Sequence, residues 1–423
     1  MSNNKYTGNY TLKEMNNALD VNILVIGAGI YGLHVAELLK RNKIKHQVVA
    51  KEMYLDYEDQ FYGRSNEKIS MASIANQARV HLGYHYPRSM ETVDSCLKNF
   101  NKFINEFKEE LIEPDTWNHL YGLADDKENK TNLKNWNKLR SKINGLFKEK
   151  DLPEDIKFKH LQDLVNTNEK AVDTFRMMER KTYNYLKSKN GETQSIILDE
   201  IESTLKCGQY YYFKLKSNNQ LYKARYIFNC TYSGLKEIEK IFDQETDLDV
   251  KYQLCELALF ASTIAEEDGL NGNALTVMDG PFASIMPFCY RNSINSKLIS
   301  TWSLTSVCHT PHMTSLDFDE INQAYQKSIT SKRAGMIETI SKFTGDIDFD
   351  TKYKRSIYTI KTISNKVNDD GRCVEIHHNY DNTFFSILSG KLSAIYELND
   401  FMKEFVIKYK NPQSMVNHPP MGN

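Results

Sequence analysis

Residues 21–26, Val-Asn-Ile-Leu-Val-Ile, form a short apolar run rich in β-branched side chains that stops at Gly27-Ala-Gly-Ile-Tyr-Gly32. The pattern predicts a strand running into a turn. From Ile30 the apolar spacing turns helical (Leu33, Ala36, Leu39), passes into a basic, polar stretch at 40–46, and resumes as an apolar strand at 47–50. This is a β-α-β unit. Residues 96–150 alternate charged and apolar positions with helical spacing, and their lysine- and acid-rich centre, 125–142, reads as a solvated helical excursion. A helix is expected over 171–189, then strands over 195–198, 210–215 and 224–230, the last ending in a turn at 231–234. Strands dominate from 252 to 305, a texture unlike that of the first half, which predicts a second, sheet-rich domain. A helix over 317–343, a strand over 356–361, a strand-turn at 384–391 and a terminal helix over 392–409 complete the chain, with 411–423 read as a loose tail.

At 423 residues with 40% hydrophobic positions, the chain can build two domains or one interleaved pair. Lysine and arginine number 54 against 55 acids, without a basic block, so nucleic acid and anionic membrane surfaces are poor partners. The cysteines at 96, 207, 230, 255, 289, 308 and 373 are odd in number, scattered and never in a C-x-x-C pair, which fits reduced thiols and a cytoplasmic location. The N-terminus lacks a basic flank and apolar run, and the longest early apolar stretch, 21–33, falls short of the ~20 residues of a transmembrane segment. The glycosylation patterns at Asn9 and Asn229 are of a kind that arises by chance, and the second lies in an expected buried strand. His309 and His312 flank a proline and have no third ligand in view, so no metal site is expected.

The glycines carry the first chemistry. Gly27, Gly29 and Gly32 stand where a strand ends and a helix begins, the context of a dinucleotide-binding turn. Gly27 permits the tight turn, Gly29 lets backbone approach a pyrophosphate, and Gly32 permits close packing of helix on strand. The helix N-terminus, from Ile30, presents N–H groups to the anion. Glu52, 20 residues past Gly32, is placed to accept hydrogen bonds from ribose hydroxyls, and its charge disfavours a 2′-phosphate. The pattern alone does not separate NAD from FAD.

Four stretches in the same order resemble the FAD-dependent oxidoreductases of the D-amino-acid oxidase superfamily, which includes glycine oxidase, sarcosine oxidase and L-2-hydroxyglutarate dehydrogenase. They are ILVIGAGIYGLHVAELL (23–39), MASIANQARVHLGYHYPRS (71–89), ARYIFNCTYSGL (224–235) and DDGRCVEIHHNYDNTFFSILSGKLSAIYEL (369–398). The resemblance implies an α/β protein: a Rossmann-like FAD-binding domain assembled from 20–95, 165–240 and 366–410, and a mostly antiparallel substrate domain at 241–365, with 96–164 as the helical excursion. It implies that Ser73, Asn76, Gln77, Ala78 and Arg79 line the pyrophosphate, ribityl chain and ring edge, that His81 lies by the isoalloxazine, and that Leu388, Ser389, Gly390 and Lys391 supply N–H groups and positive charge near the flavin N1 and O2. The chain departs from several relatives at Gly371-Arg372-Cys373 and at Cys230-Thr231-Tyr232, which leaves the substrate class open.

The implied activity is hydride removal from a small CH–NH or CH–OH substrate to flavin N5, with dioxygen or another acceptor reoxidising the flavin. A non-catalytic FAD-binding sensor and an NAD-linked dehydrogenase are the alternatives. Arg372 is the candidate clamp for a substrate carboxylate, against a surface salt bridge to Asp369 or Asp370. His81 is read as packing on the flavin, carrying it covalently, acting as a base, or shaping the pocket as a hydrogen-bonded histidine. His85 lines the site or knits its loop, as do Tyr84 and Arg88. Asp279, Phe282, Ser284 and Lys361 are further candidates from the second domain, with structural readings beside them.

Overall fold

The computed structural model describes residues 6–54, 66–112, 117–187, 194–267, 269–292, 297–366 and 371–411. Two large sheets organise them. The first has eight strands, running Glu375–His378, Phe384–Leu388, Leu221–Asn229, Leu19–Ile26, His46–Ala50 and Ile196–Leu198, with Tyr210–Leu215 and Ile201–Cys207 branching from Leu221–Asn229. Its central pairs are parallel: Leu19–Ile26 pairs with both Leu221–Asn229 and His46–Ala50, and Leu221–Asn229 with Phe384–Leu388. The second sheet has nine strands and is mostly antiparallel, with Val250–Ala261 joined to Tyr353–Ser364, Lys297–Ser306 and Pro311–Ser315.

From Ile23 to Ile26 the first strand is wholly apolar because both of its faces are covered there. Ile23 and Val25 pack with Leu33, Ala36 and Leu39 of the helix Ile30–Arg41. Leu24 and Ile26 face the opposite cluster, with Tyr211, Phe213 and Ile227. Asn22 takes a left-handed φ of 63° at a register shift, which puts Val21 on the same side as Leu24. The fold is α/β with a Rossmann-like sheet and a mostly antiparallel companion.

Several local expectations change. The stretch 96–164 is not a purely helical excursion: alongside the helices Met90–Glu106 and Leu133–Asn144 it supplies Asn118–Ala124 and Leu161–Thr167, two strands of the second sheet. Asn118–Ala124 lies between Asn273–Met278 and Leu161–Thr167, and its residues 119–124 are all buried. Sandwiching of this kind removes the alternation by which a strand is recognised. Residues 317–343 form two helices, Phe318–Gln326 and Arg333–Thr344. The expected polar leader docks on the first sheet, where Gly8 donates its N–H to the Thr204 carbonyl at 2.8 Å. Residues 412–423 of the expected tail, and Asp369 and Asp370, lie outside the described residues.

Candidate cofactor and substrate site

The carboxyl ends of the parallel strands open on one cavity of about 1050 Å³. The chain order reverses between Leu19–Ile26 and Leu221–Asn229, and there Gly27 meets Cys230 at the cavity floor. Such a reversal point is where an open α/β sheet offers a crevice to ligands. Gly27 has φ +103°, and a Cβ on it would stand 2.8 Å from the Cys230 carbonyl oxygen. A Cβ on Gly32 would lie 1.9 Å from the Gly27 carbonyl oxygen. Gly29, the N-cap residue of Ile30–Arg41, has no side-chain cap, so the first-turn N–H groups face the cavity with one visible partner, Ser73 Oγ, 3.0 Å from Ile30 N. Gly27, Gly29, Ile30, Ser73 and Glu52 all reach the cavity wall. Gly32 does not; it holds the helix against the turn.

The loop 71–79 forms the wall's middle. Asn76 lines the cavity but spends its amide on the loop, donating to the Ala72 and Ser73 carbonyls at 2.9 and 3.1 Å and accepting from Ala78 N at 2.7 Å. Ala78, expected at the cofactor, is off the wall: it adopts a left-handed φ of 59° and is packed in the core. Gln77 and Arg79 reach the second sheet, with Gln77 Nε2 donating to the Ser284 carbonyl at 3.1 Å and Arg79 Nη2 to Ser284 Oγ at 2.6 Å. Arg79 is buried and also donates to Tyr121 Oη at 3.0 Å and, at 3.3 Å, to His85 Nδ1. That contact leaves the His85 proton on Nε2. Burial and then the Arg79 charge hold His85 down to about 3, so its ring on the cavity wall is neutral.

At the end of the first sheet Ser389, Gly390 and Lys391 line the cavity. Leu388, expected among them, instead packs its side chain with Leu235 and Val250, and Ile387 takes the wall position. The alternation of a strand decides between the two. Lys391 is buried and donates from Nζ to Ser95 Oγ at 2.7 Å, so its charge sits behind the wall. Tyr31, inside the glycine turn and unassigned from sequence, ties both ends of the site together by hydrogen bonds to Ser389 Oγ at 2.7 Å and the Lys391 carbonyl at 2.6 Å.

Arg372, ahead of the strand Glu375–His378, and Lys361, in the strand Tyr353–Ser364, both line the cavity, and their charges both bear on His85 and Cys255. Among the described residues neither has a carboxylate partner within ion-pair distance. Arg88 pairs with Asp279 at 2.8 Å, and Tyr84 stacks on Tyr121 with ring centroids 5.5 Å apart, so both brace the loop. His312 bonds Glu256 at 2.7 Å and His309 packs on Gly335, in separate places.

Behind the wall lies a group that sequence reasoning missed. Glu169, between Leu161–Thr167 and Lys170–Ala171, is buried; its Oε1 accepts from Leu82 N at 2.6 Å and its Oε2 from Tyr121 Oη at 2.8 Å. His81, on the wall, has Nδ1 3.7 Å from Glu169 Oε2, and His119 has Nδ1 3.6 Å from the same oxygen. Burial raises the Glu169 carboxyl to about 7, and burial followed by the Arg79 charge pushes His81 well below its ordinary value.

Fold and cavity together define an α/β protein with a glycine turn at the carboxyl ends of its parallel strands and a second, mostly antiparallel sheet beside the crevice. Solved structures with this architecture include an L-α-glycerophosphate oxidase from Mycoplasma pneumoniae with FAD bound (TM-score 0.61, 15% identity, covering 93% of this chain and 95% of that one). A glycine oxidase from Geobacillus kaustophilus matches with TM-score 0.59 and 11% identity over 92% of this chain and 94% of that one. An L-proline dehydrogenase from P. horikoshii matches with TM-score 0.53 and 12% identity over 94% of each. The chain therefore has the fold that these oxidases and dehydrogenase share. No protein-family model matches the chain, and no curated protein matches it by sequence. Among the described residues, no helix is long and apolar enough to cross a membrane.

Proposed function

We propose that the protein is an FAD-dependent oxidase or dehydrogenase acting on a small anionic CH–NH or CH–OH substrate. The observation that carries this reading is one cavity with the N-terminus of the helix Ile30–Arg41, Gly27 and Gly29 at one end and, at the other, Arg372 and Lys361, which have no carboxylate partner among the described residues. Its volume, about 1050 Å³, is at the top of the usual range for ligand pockets and suits a dinucleotide plus a small substrate.

The ADP half belongs against Gly27, Gly29 and the first turn of Ile30–Arg41, with Glu52 at the ribose; the ring belongs between Gln77, His81 and Gly390. Bound there, FAD supplies the two-electron acceptor for a substrate hydride. Arg372 and Lys361 hold the anionic end of the substrate, which fixes the reacting carbon and supplies much of the rate through orientation. His85, kept neutral near physiological pH by burial and the Arg79 charge, donates from Nε2 and orients without competing for the substrate's charge. His81 receives the substrate's O–H or N–H proton. The second sheet keeps water from the reacting atoms, and dioxygen or another acceptor completes the cycle.

The test begins with purified protein, which should be yellow with the absorbance bands of oxidised flavin, or become so on reconstitution with FAD. Anaerobic bleaching by amino acids, hydroxy acids and phosphorylated polyols then identifies the substrate. Colourless protein that does not take up FAD would overturn the reading. Yellow protein reduced only by uncharged amines would remove the anionic-substrate part.

A further inference from the structure

We propose that Glu169 is the buried terminus of a proton path from the cavity: a proton leaving the substrate enters the His81 ring and passes on to the Glu169 carboxylate. The proposal rests on the flavoenzyme reading for its substrate, and on the following geometry for the path.

His81 is the one member of the pair that touches the cavity; Glu169 lies behind it, with its side chain fully enclosed. His81 Nδ1 is buried, has no hydrogen-bond partner, and is 3.7 Å from Glu169 Oε2. With Nδ1 turned inward, Nε2 is the nitrogen left for the cavity. Glu169 Oε1 is held by the N–H groups of Leu82 and Gly83 at 2.6 and 3.3 Å, which ties the carboxylate to the same turn that carries His81. Oε2 takes one bond, from Tyr121, and keeps capacity for a second.

The surroundings bias the direction of transfer. Arg79 is the nearest fixed cation, bridged to Glu169 through the Tyr121 hydroxyl. His85 stands 5.4 Å and Tyr86 5.2 Å from the His81 ring, centroid to centroid, and Lys391 lies over the Tyr86 ring. On the far side His119 Nδ1 approaches Glu169 at 3.6 Å, and Tyr84 stacks on Tyr121. Glu169 is the carboxylate at the centre of this largely cationic neighbourhood, with Glu149 at its edge, 3.4 Å from Tyr84 Oη. It disfavours a proton resting on either imidazole, as the lowered affinities of His81 and His119 reflect, while burial makes Glu169 ready to accept one near neutral pH.

In the step, the substrate's O–H or N–H bond breaks and a bond from that proton to His81 Nε2 forms, the electron pair staying on the substrate heteroatom. The Nδ1–H bond breaks and Glu169 Oε2–H forms. Imidazole and carboxylate become imidazole of the other tautomer and carboxylic acid, so the ring ends neutral and free to rotate or exchange back. The cluster gains one positive charge.

Glu169→Gln tests this in full-length, FAD-loaded protein, because the amide keeps the volume and can keep the bonds from Leu82 and Gly83 but takes up no proton. The wild-type rate of anaerobic flavin reduction should rise with pH through about 7. The variant should lose that rise and reduce flavin about 100-fold more slowly or worse, with little change in substrate affinity. A second readout is independent of turnover: the infrared carboxyl band of Glu169 should titrate between about pH 5 and about pH 9, and vanish in the variant. Yellow, substrate-reducible variant with an unchanged rate and pH profile overturns the path, as does a wild-type carboxyl band that does not titrate. If Glu169→Gln does not fold, His81→Asn, which leaves Glu169 in place, should give the same loss of the pH-dependent rise, and an unaltered profile there is equally fatal. Absence of flavin from wild-type protein overturns the functional reading instead, a distinguishable result.

Discussion

Two alanine substitutions three residues apart should separate cofactor binding from fold stability. A methyl group on Gly32 would lie 1.9 Å from the Gly27 carbonyl oxygen, about 1 Å inside tolerable contact. Gly27 cannot retreat, because its N–H is bonded to Val49 O at 2.8 Å and any Cβ-side shift runs into Cys230. The helix must therefore lift off the strand, an overpacking cost of ~1–3 kcal/mol. With unfolding entropy of about 2.1 cal/mol/K per residue, this lowers Tm by about 1–3 °C for a chain of 423 residues unfolding as one. Gly29 differs: its φ of −72° suits any residue, and an added Cβ meets only Ser73 Oγ, at 3.2 Å. Yet Gly29 is on the cavity wall and Gly32 is not. Gly29→Ala should leave the melting temperature of the FAD-free protein within about 1 °C of wild type and weaken FAD at least about tenfold, a change of ~1.4 kcal/mol. Gly32→Ala should lower both. Flavin content after gel filtration, FAD titration and thermal melts of the stripped proteins measure each arm. Wild-type FAD affinity in Gly29→Ala would refute the assignment of this turn to the pyrophosphate.

Arg372→Ala should raise the substrate KM about 10–100-fold, the worth of one charge-assisted hydrogen bond of ~1.5–3 kcal/mol, with a smaller effect on kcat; unaltered steady-state kinetics would return Arg372 to a surface role. Lys181 is enclosed between Glu37 at 2.7 Å and Glu106 at 3.1 Å, beneath the helix Ile30–Arg41. Lys181→Met leaves the buried Glu37 with only the exposed Arg41, at 3.7 Å, and should cost ~3–5 kcal/mol, whereas Lys181→Met with Glu37→Met should recover most of it. Because burial already raises the Glu37 carboxyl against the opposing Lys181 charge, losing the lysine raises it further. The single variant's deficit should therefore shrink as pH falls and Glu37 protonates, and a pH-independent deficit in denaturant titrations would contradict the argument.

What the sequence reveals depends on how local the determinant is. The glycine turn, the helix from Ile30 and the strand before it were readable because three backbone requirements fall within six residues. The place of Glu52 on the cavity wall was readable from its spacing. Ala78 and Leu388 stand off the wall for different reasons: a left-handed φ of 59° turns Ala78 into the core between Gln77 and Arg79, and strand alternation turns Leu388 away between Ile387 and Ser389, neither of which a resemblance carried over a whole segment respects. The strand Ile201–Cys207 escaped notice since its Ile-Glu-Ser-Thr-Leu-Lys-Cys pattern is that of an edge strand with mixed exposure. Its signal was the turn at Gly208, φ +58°, leading into Tyr210–Leu215.

Glu169 had no local signal at all. In Asn166-Thr-Asn-Glu-Lys-Ala171 it reads as one acid in a polar turn, and most such acids are solvated. Its burial follows from a two-residue ladder, Arg79 with Ala171 and Val80 with Lys170, that draws this turn beneath the loop carrying His81. The ladder places the carboxylate where the Leu82 and Gly83 N–H groups would otherwise lack a partner and where Arg79 would otherwise be a buried charge without a nearby anion. The backbone of one segment thus requires an acid from another 87 residues away. That requirement explains why an acid is tolerated there. It does not by itself call for two histidines with inward, unbonded Nδ1 atoms beside the same oxygen. His119 spends its Nε2 on Thr276 Oγ1 at 3.2 Å, whereas His81 stands on the cavity wall, so His81 is the member of the pair for which proton transfer supplies a reason.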